Sequence, residues 1–201
     1  MWRTAFKNAR EIFERHRGVM TKKQAVAAGM SPNTFYAMRD AGVTVKISGG
    51  WYGLADLPPT SKPDLATVAL RAPKGVVCLI SALSFHELTT QVPHMVYLAL
   101  EKDSAEPRID YPPVRTFRFS GESFRAGVEI HSIDGIETKI YCAEKSIADC
   151  FKFRNKIGLD VALEALRLYR RSDSFDAVRL LEYARICRVE KVIKPYLEAI
   201  L

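Results

Sequence analysis

Residues 21–42, TKKQAVAAGMSPNTFYAMRDAG, decide the fold of the N-terminal part of the chain. Thr21 followed three residues later by Gln24 has the spacing of a capping box and predicts a short helix from Lys22 to Ala28. The alanines and Val26 of that helix are expected to face inward. Gly29 breaks it and Met30 is expected in the core. Ser31 at an N-cap with Pro32 in the first helical position is a strong helix start, because the serine oxygen accepts a free backbone N–H and proline needs none. The helix it starts runs from Pro32 to Asp40, turns Phe35 and Met38 inward, and stops at Gly42. Helix, glycine-containing turn and helix make a helix-turn-helix pattern.

Outward from this stretch the same unit continues. Thr4 can cap a first helix, in which Phe6, Ala9, Ile12, Phe13 and His16 recur on one face and Gly18 ends the run. After Gly42, two β-prone runs, Val43–Ile47 and Trp51–Leu54, flank Ser48-Gly49-Gly50 and read as a hairpin. Trp51 and Tyr52 are its expected core anchors. Three helices and a hairpin predict a winged helix-turn-helix over residues 1–60. The proline-rich segment Leu57–Pro63 then marks a boundary.

Residues 61–201 predict a mixed α+β domain with a helical C-terminus, so the chain as a whole is α+β. Asp64 can cap a helix through Leu70, Val76–Ile80 reads as a strand, and Ser81 can cap a helix through Leu88. Met95–Leu100, Thr116–Phe119, Glu129–Ile133 and Thr138–Tyr141 read as strands, the last two joined by an Asp134-Gly135 turn. From Ala143 the pattern is helical, interrupted at Gly158 and at Ser172-Asp173-Ser174. Lys102–Pro113 is an irregular connection within this domain.

The chain has 201 residues and a net charge of +7. Residues 1–60 hold nine basic and four acidic side chains, so +5 of that excess lies in less than a third of the chain. Clustered positive charge suits a polyanion, because cationic side chains release counterions condensed on phosphates. A helix fits the major groove of B-DNA and reads base edges from near its N-terminus. The residues so placed are Asn33, Thr34, Tyr36 and Ala37, with Arg39 further along. Ser31 and the free N–H groups after it offer a phosphate site. Lys22 and Lys23 can reach the flanking backbone, and Lys46 and Ser48 sit at the wing tip. The expected DNA-binding set is therefore Lys22, Lys23, Ser31, Asn33, Thr34, Tyr36, Arg39, Lys46 and Ser48. The same scaffold can instead serve protein contact alone.

Two further basic clusters, Lys152, Arg154 and Lys156, and then Arg167, Arg170 and Arg171, form a second positive surface if their helices are neighbours. Otherwise they are a solvated face balanced by Asp149, Asp160 and Glu164. Lys145 and Asp149 stand at i,i+4 spacing, the usual mark of a surface or interdomain salt bridge.

Several classes are set aside. No run of about 18 apolar residues suggests a membrane span, and the charged N-terminus lacks the apolar core of a signal peptide. Cys78, Cys142, Cys150 and Cys187 show no C-x-x-C spacing and are expected to be reduced, mostly buried thiols of a cytosolic protein. Phe85-His86-Glu87-Leu88-Thr89-Thr90 begins like the zinc motif H-E-x-x-H, but Thr90 stands where the second histidine is needed. Neither a phosphate-binding Walker loop nor a nucleophile elbow occurs. The expectation is a non-enzyme without cofactor or metal.

Four strings together resemble the AbiEi antitoxin family: Gly53–Pro59 (GLADLPP), Pro63–Gly75 (PDLATVALRAPKG), Cys78–Thr90 (CLISALSFHELTT) and Ala143–Ala162 (AEKSIADCFKFRNKIGLDVA). The resemblance covers nearly the whole chain. It implies an N-terminal winged helix-turn-helix and a C-terminal antitoxin domain, 61–201. It also implies a type IV system of phage defence. In such a system an AbiEii-type nucleotidyltransferase toxin is countered without a stable complex, and the antitoxin represses its own operon. The DNA partner is then inverted repeats in the shared promoter, bound by a monomer acting cooperatively or by a dimer, in the bacterial cytoplasm at the nucleoid. Direct neutralisation by toxin binding and enzymatic modification of the toxin remain the alternatives.

Overall fold

The computed structural model describes residues 2–57 and 61–200, with the side chains of residues 2–4 left out. In chain order the elements are α1 (Trp2–Arg15), β1 (Val19–Thr21), α2 (Lys22–Ala27), α3 (Pro32–Asp40), β2 (Thr44–Ser48), β3 (Trp51–Leu54) and α4 (Pro63–Arg71). They continue with β4 (Val76–Val77), α5 (Leu79–Phe85), β5 (Val96–Glu101), β6 (Val114–Phe119), α6 (Glu122–Arg125), β7 (Val128–Ile133) and β8 (Ile136–Tyr141). The chain closes with α7 (Ala143–Lys152), α8 (Arg154–Ile157), α9 (Leu159–Arg170), α10 (Ala177–Ile186) and α11 (Glu190–Glu198). The fold is α+β. It divides into two compact units, residues 1–71 with 132–137, and residues 72–131 with 138–201. The first unit reaches past residue 60 because α4 packs on β2. Pro58, Pro59 and Thr60 of the expected linker lie outside the described residues.

In the first unit, helix ends follow directly from local chemistry. Thr21 and Gln24 form the reciprocal capping box of α2, and Ser31 caps α3 through the N–H of Thr34. Gly29 and Gly42 take positive φ after α2 and α3. There the N–H groups of Met30 and Val43 reach back to Ala25 O and Met38 O, the six-to-one bond of a Schellman stop. Phe13, Met20, Phe35 and Met38 are fully enclosed, with Ala9, Ala25, Met30 and Leu54 around them. Phe35 stands edge-on to Tyr52 at 5.0 Å, so the hairpin is anchored on the third helix. β1, β3 and β2 form an antiparallel sheet in that order, and the strand β1 was not anticipated.

Several local expectations are corrected. α1 already runs at Trp2 rather than starting at Thr4, whose side chain lies outside the described residues. α2 is too short to bury a full face, so only Ala25 is enclosed and Val26 is exposed. Asp64 lies inside the first turn of α4. The run from Val76 is a strand for two residues only, since Leu79 takes a left-handed φ of 48° and begins α5. Ser81 is therefore inside α5, which stops at Phe85. Its hydroxyl instead accepts the N–H of Tyr97 at 3.0 Å, tying the helix to β5.

The second unit carries a five-stranded sheet in the order β6-β5-β4-β8-β7, with β4 parallel to β8 and β5 parallel to β6. Its core joins this sheet to α5, α7, α9, α10 and α11. Helix α7 is enclosed from Glu144 to Phe151. The Lys145–Asp149 pair, expected at a surface or between domains, is instead wholly buried inside this unit, with Nζ 2.5 Å from Oδ2. The Lys145 ammonium faces the Tyr141 ring at 4.1 Å and the Phe119 ring at 4.9 Å. The other Asp149 oxygen accepts the Cys187 thiol at 3.2 Å. Burial pushes the Asp149 carboxyl up, and Lys145 pulls it back.

An ion stripped of its buried partner is far more costly than the pair itself. Lys145→Met should lower the unfolding free energy by about 3–5 kcal/mol in urea titrations, and Lys145→Met with Asp149→Leu should recover most of that loss. A double variant as unstable as the single one would mean that lost packing, not stranded charge, sets the cost.

Candidate nucleic-acid interface

The outer face of the α2–α3 pair is built over the enclosed Phe35 and Met38. The 3.6-residue period that sends these two inward leaves Asn33, Tyr36 and Arg39 exposed, with Thr34 and Ala37 half-buried at the margin. The structure brings three of the expected contacts together. Lys22 Nζ donates to Tyr36 Oη at 2.7 Å and stands 4.4 Å from the ring centroid. On the same ring lies the Arg39 guanidinium, 4.9 Å from the centroid. The Lys22 hydrogen bond and charge pull the Tyr36 phenol below its ordinary value. Arg39 is also paired with Asp40 at 2.7 Å, so a phosphate or base edge must compete with that carboxylate.

Ser31 and Thr34 are less available than their positions suggest. The Ser31 hydroxyl accepts the Thr34 N–H at 3.1 Å and lies 2.8 Å from the Thr34 hydroxyl. Both side chains are engaged in the cap, leaving the backbone as the donor set at this helix end. Asn33, Lys23 and Lys46 are exposed and make no side-chain hydrogen bond or ion pair among the described residues.

Ser48 is half-buried at the end of β2, next to a turn in which Gly49 and Gly50 both have positive φ. The pairing slips between Lys46 and Ser48, which bulges the hairpin at Ile47. A Cβ at Gly49 would collide with the guanidinium of Arg71. The last residue of α4 thus brings a further cation to the tip of the β2–β3 hairpin, 22 positions away in sequence. No local pattern announces it, because the contact exists only once α4 packs on β2.

The two distal basic clusters do not coalesce. Lys156 precedes α9 and Arg170 ends it, a separation of about 17 Å along the helix at 1.5 Å per residue. Lys152 and Arg154, both half-buried, form one patch with the exposed Lys156; the exposed Arg167, Arg170 and Arg171 form another, with Arg170 5.1 Å from the Phe175 ring. Of the acids expected to balance them, Asp149 is buried with Lys145, and Glu164 accepts from the hydroxyls of Thr89 and Thr90. The interrupted zinc motif is likewise absorbed into packing: His86 Nε2 is 2.8 Å from Tyr141 O, and Thr90 serves Glu164. The four cysteines are buried free thiols. Among the described residues no helix is long and apolar enough to cross a membrane.

No family model and no curated protein matches the sequence. Among solved structures, the Rv2827c protein from Mycobacterium tuberculosis is similar, with a TM-score of 0.52 and 13% identity over 94% of this chain and 80% of that one. At that identity the likeness is one of fold.

If Lys22 holds Tyr36 as described, the Tyr36 phenol should titrate below the ordinary 10 when followed by NMR of labelled tyrosine rings. In Lys22→Met it should move up towards that value, because the hydrogen-bond donor and the charge that favour phenolate are both gone. An unchanged titration would mean that the two groups do not meet in solution.

Proposed function

We propose that the first unit is a winged helix-turn-helix that binds double-stranded DNA, with α3 in the major groove and the β2–β3 wing on the flanking backbone. The observation that carries this reading is the exposed Lys22–Tyr36–Arg39 stack beside the unpartnered Asn33, on a helix whose opposite face is locked into an aromatic and methionine core. An amide there can pair with adenine, and stacked cations can meet phosphates or guanine. Lys23, Lys46 and Arg71 supply further charge for backbone contact. Ser31 and Thr34 contribute through the helix end they build, and Ser48 through the wing turn.

On this reading, and on the resemblance of the four sequence strings, the protein is a repressor-antitoxin of the AbiEi kind. It binds inverted repeats in its own promoter as a dimer or as cooperating monomers. It counters an AbiEii-type nucleotidyltransferase toxin without a stable complex and works in the bacterial cytoplasm as a binding protein rather than an enzyme.

A gel-shift titration with the DNA upstream of the gene, in excess competitor, tests the core of the proposal. A specific shift is expected. Asn33→Ala should cost about 1–3 kcal/mol on the specific site, and Lys46→Ala should weaken specific and competitor DNA alike and reduce the salt slope by about one. Specific binding untouched by Asn33→Ala and Arg39→Ala would remove α3 as the reading helix. Absence of any shift, with co-purification of a toxin complex, would make the unit a protein-contact scaffold.

A further inference from the structure

Within the second unit, a cavity of about 780 Å³ opens between the turn that precedes α6, the junction of α7 with α8, and the corner from α10 to α11. Lys152 and Arg154 line it from one side, Arg185 and Arg188 from the other, and Glu122 is the only carboxylate among its lining residues. Two of these cations belong to a basic cluster visible in the sequence; the other two arrive only through the fold.

The cations are arranged rather than merely abundant. The Arg154 guanidinium is braced by the Phe151 carbonyl at 2.8 Å, and Lys152 Nζ lies 3.5 Å from the Ser123 hydroxyl, on the same wall. Arg185 is tied to Glu190 at 3.0 Å. Arg188 has no side-chain hydrogen bond or ion pair among the described residues. It occupies the left-handed position after α10, at φ 61°, where the N–H of Val189 returns to Ala184 O. That is the position of a Schellman stop at which glycine is the least strained residue. An arginine there keeps a guanidinium at the rim against the backbone's preference.

Four cations line the concavity; Glu122 is its one lining carboxylate and Glu190 pairs with Arg185 from outside the lining, so Lys152, Arg154 and Arg188 leave a positive excess that attracts an oxyanion, and guanidinium forks match the oxygens of phosphate. The volume falls in the range of small-molecule sites and exceeds a single phosphate group. Ile186 and Val192 add apolar wall for the remainder of a ligand. With Glu122 the one carboxylate in the lining and Glu190 held by Arg185, the cations meet the phosphate directly, without a divalent ion bridging protein to ligand. We propose that this cavity binds a phosphate ester of nucleotide size. The proposal is independent of DNA binding by the first unit.

Isothermal titration of the full chain with ADP and with inorganic pyrophosphate, each with magnesium and with a chelator, tests it. Saturable ADP binding that persists in the chelator is expected. Arg188→Gly and Lys152→Gln should each weaken it about tenfold or more, the loss of a charged hydrogen bond. Arg188→Gly should keep or raise the thermal midpoint, since glycine relieves the left-handed backbone, whereas a purely structural arginine would lower it. Absence of binding by both probes, binding that needs magnesium, or affinity unchanged in both variants would overturn the proposal. So would a duplex DNA whose affinity falls in Arg188→Gly while ADP does not bind, because the phosphate held would then belong to a nucleic-acid backbone.

Discussion

Lys145 and Asp149 sit at zero exposure one helical turn apart, and the second unit is arranged around keeping them there. Each ion has given up water at a cost of several kcal/mol, so the pair survives only where every remaining polar direction is answered. The ammonium is answered by the faces of Tyr141 and Phe119, which belong to β8 and β6. The carboxylate is answered by Cys187, the residue that ends α10. One ion pair thus specifies the seating of α7 against two strands of the sheet and the place where a neighbouring helix must stop. An apolar pair of the same volume would fill the space without demanding those partners.

The first unit solves its problem in the opposite way. Its interior holds no charged side chain among the described residues; rings, methionines and aliphatics fill it, with Thr44 a buried polar side chain at its edge strand. Its charges are organised on the outside, around Tyr36. A lysine and an arginine resting on one ring have already lost much of the rotamer freedom that binding would otherwise remove. Preorganisation of this kind favours contact with a rigid, repeating anion more than with a flexible one. The Arg39–Asp40 pair, more than a third exposed on both sides, contributes little to stability and acts chiefly as a competitor for whatever Arg39 meets.

What could be read in advance follows from where each signal resides. Helix α3 was legible to the residue because its start, period and stop are all local: Ser31-Pro32, Phe35 with Met38, and Gly42. The Asp134-Gly135 turn and the break at Gly158 were legible for the same reason. Strand β1 was not, because three residues carry too little periodicity, and its pairing with β3 is what makes it a strand. The short strand at Val76 ends in a left-handed leucine, a conformation that no apolar run advertises. The i,i+4 spacing of Lys145 and Asp149 is the same on a wet helix face and in a core. Only the apolar residues around all sides of α7, from Ile147 to Phe151, could have hinted that this helix has no wet face.

The two basic regions show why net charge is an uneven guide to sites. The concentration of +5 in residues 1–60 points towards their surface. Residues 61–201 are nearly neutral in sum, with 21 basic and 19 acidic side chains, and the same reasoning passes over them. Fields at a protein surface are screened over about 8–10 Å, so what matters is which charges the fold gathers within that distance and which it removes. Here the fold withdraws Asp149 into the core and engages Glu164 with Thr89 and Thr90. It also turns the α10 corner so that Arg185 and Arg188 line one cavity with Lys152 and Arg154. The turn at that corner is tied to Asp149 through Cys187, so the buried ion pair that organises the core also sets the stopping point from which Arg188 reaches the rim.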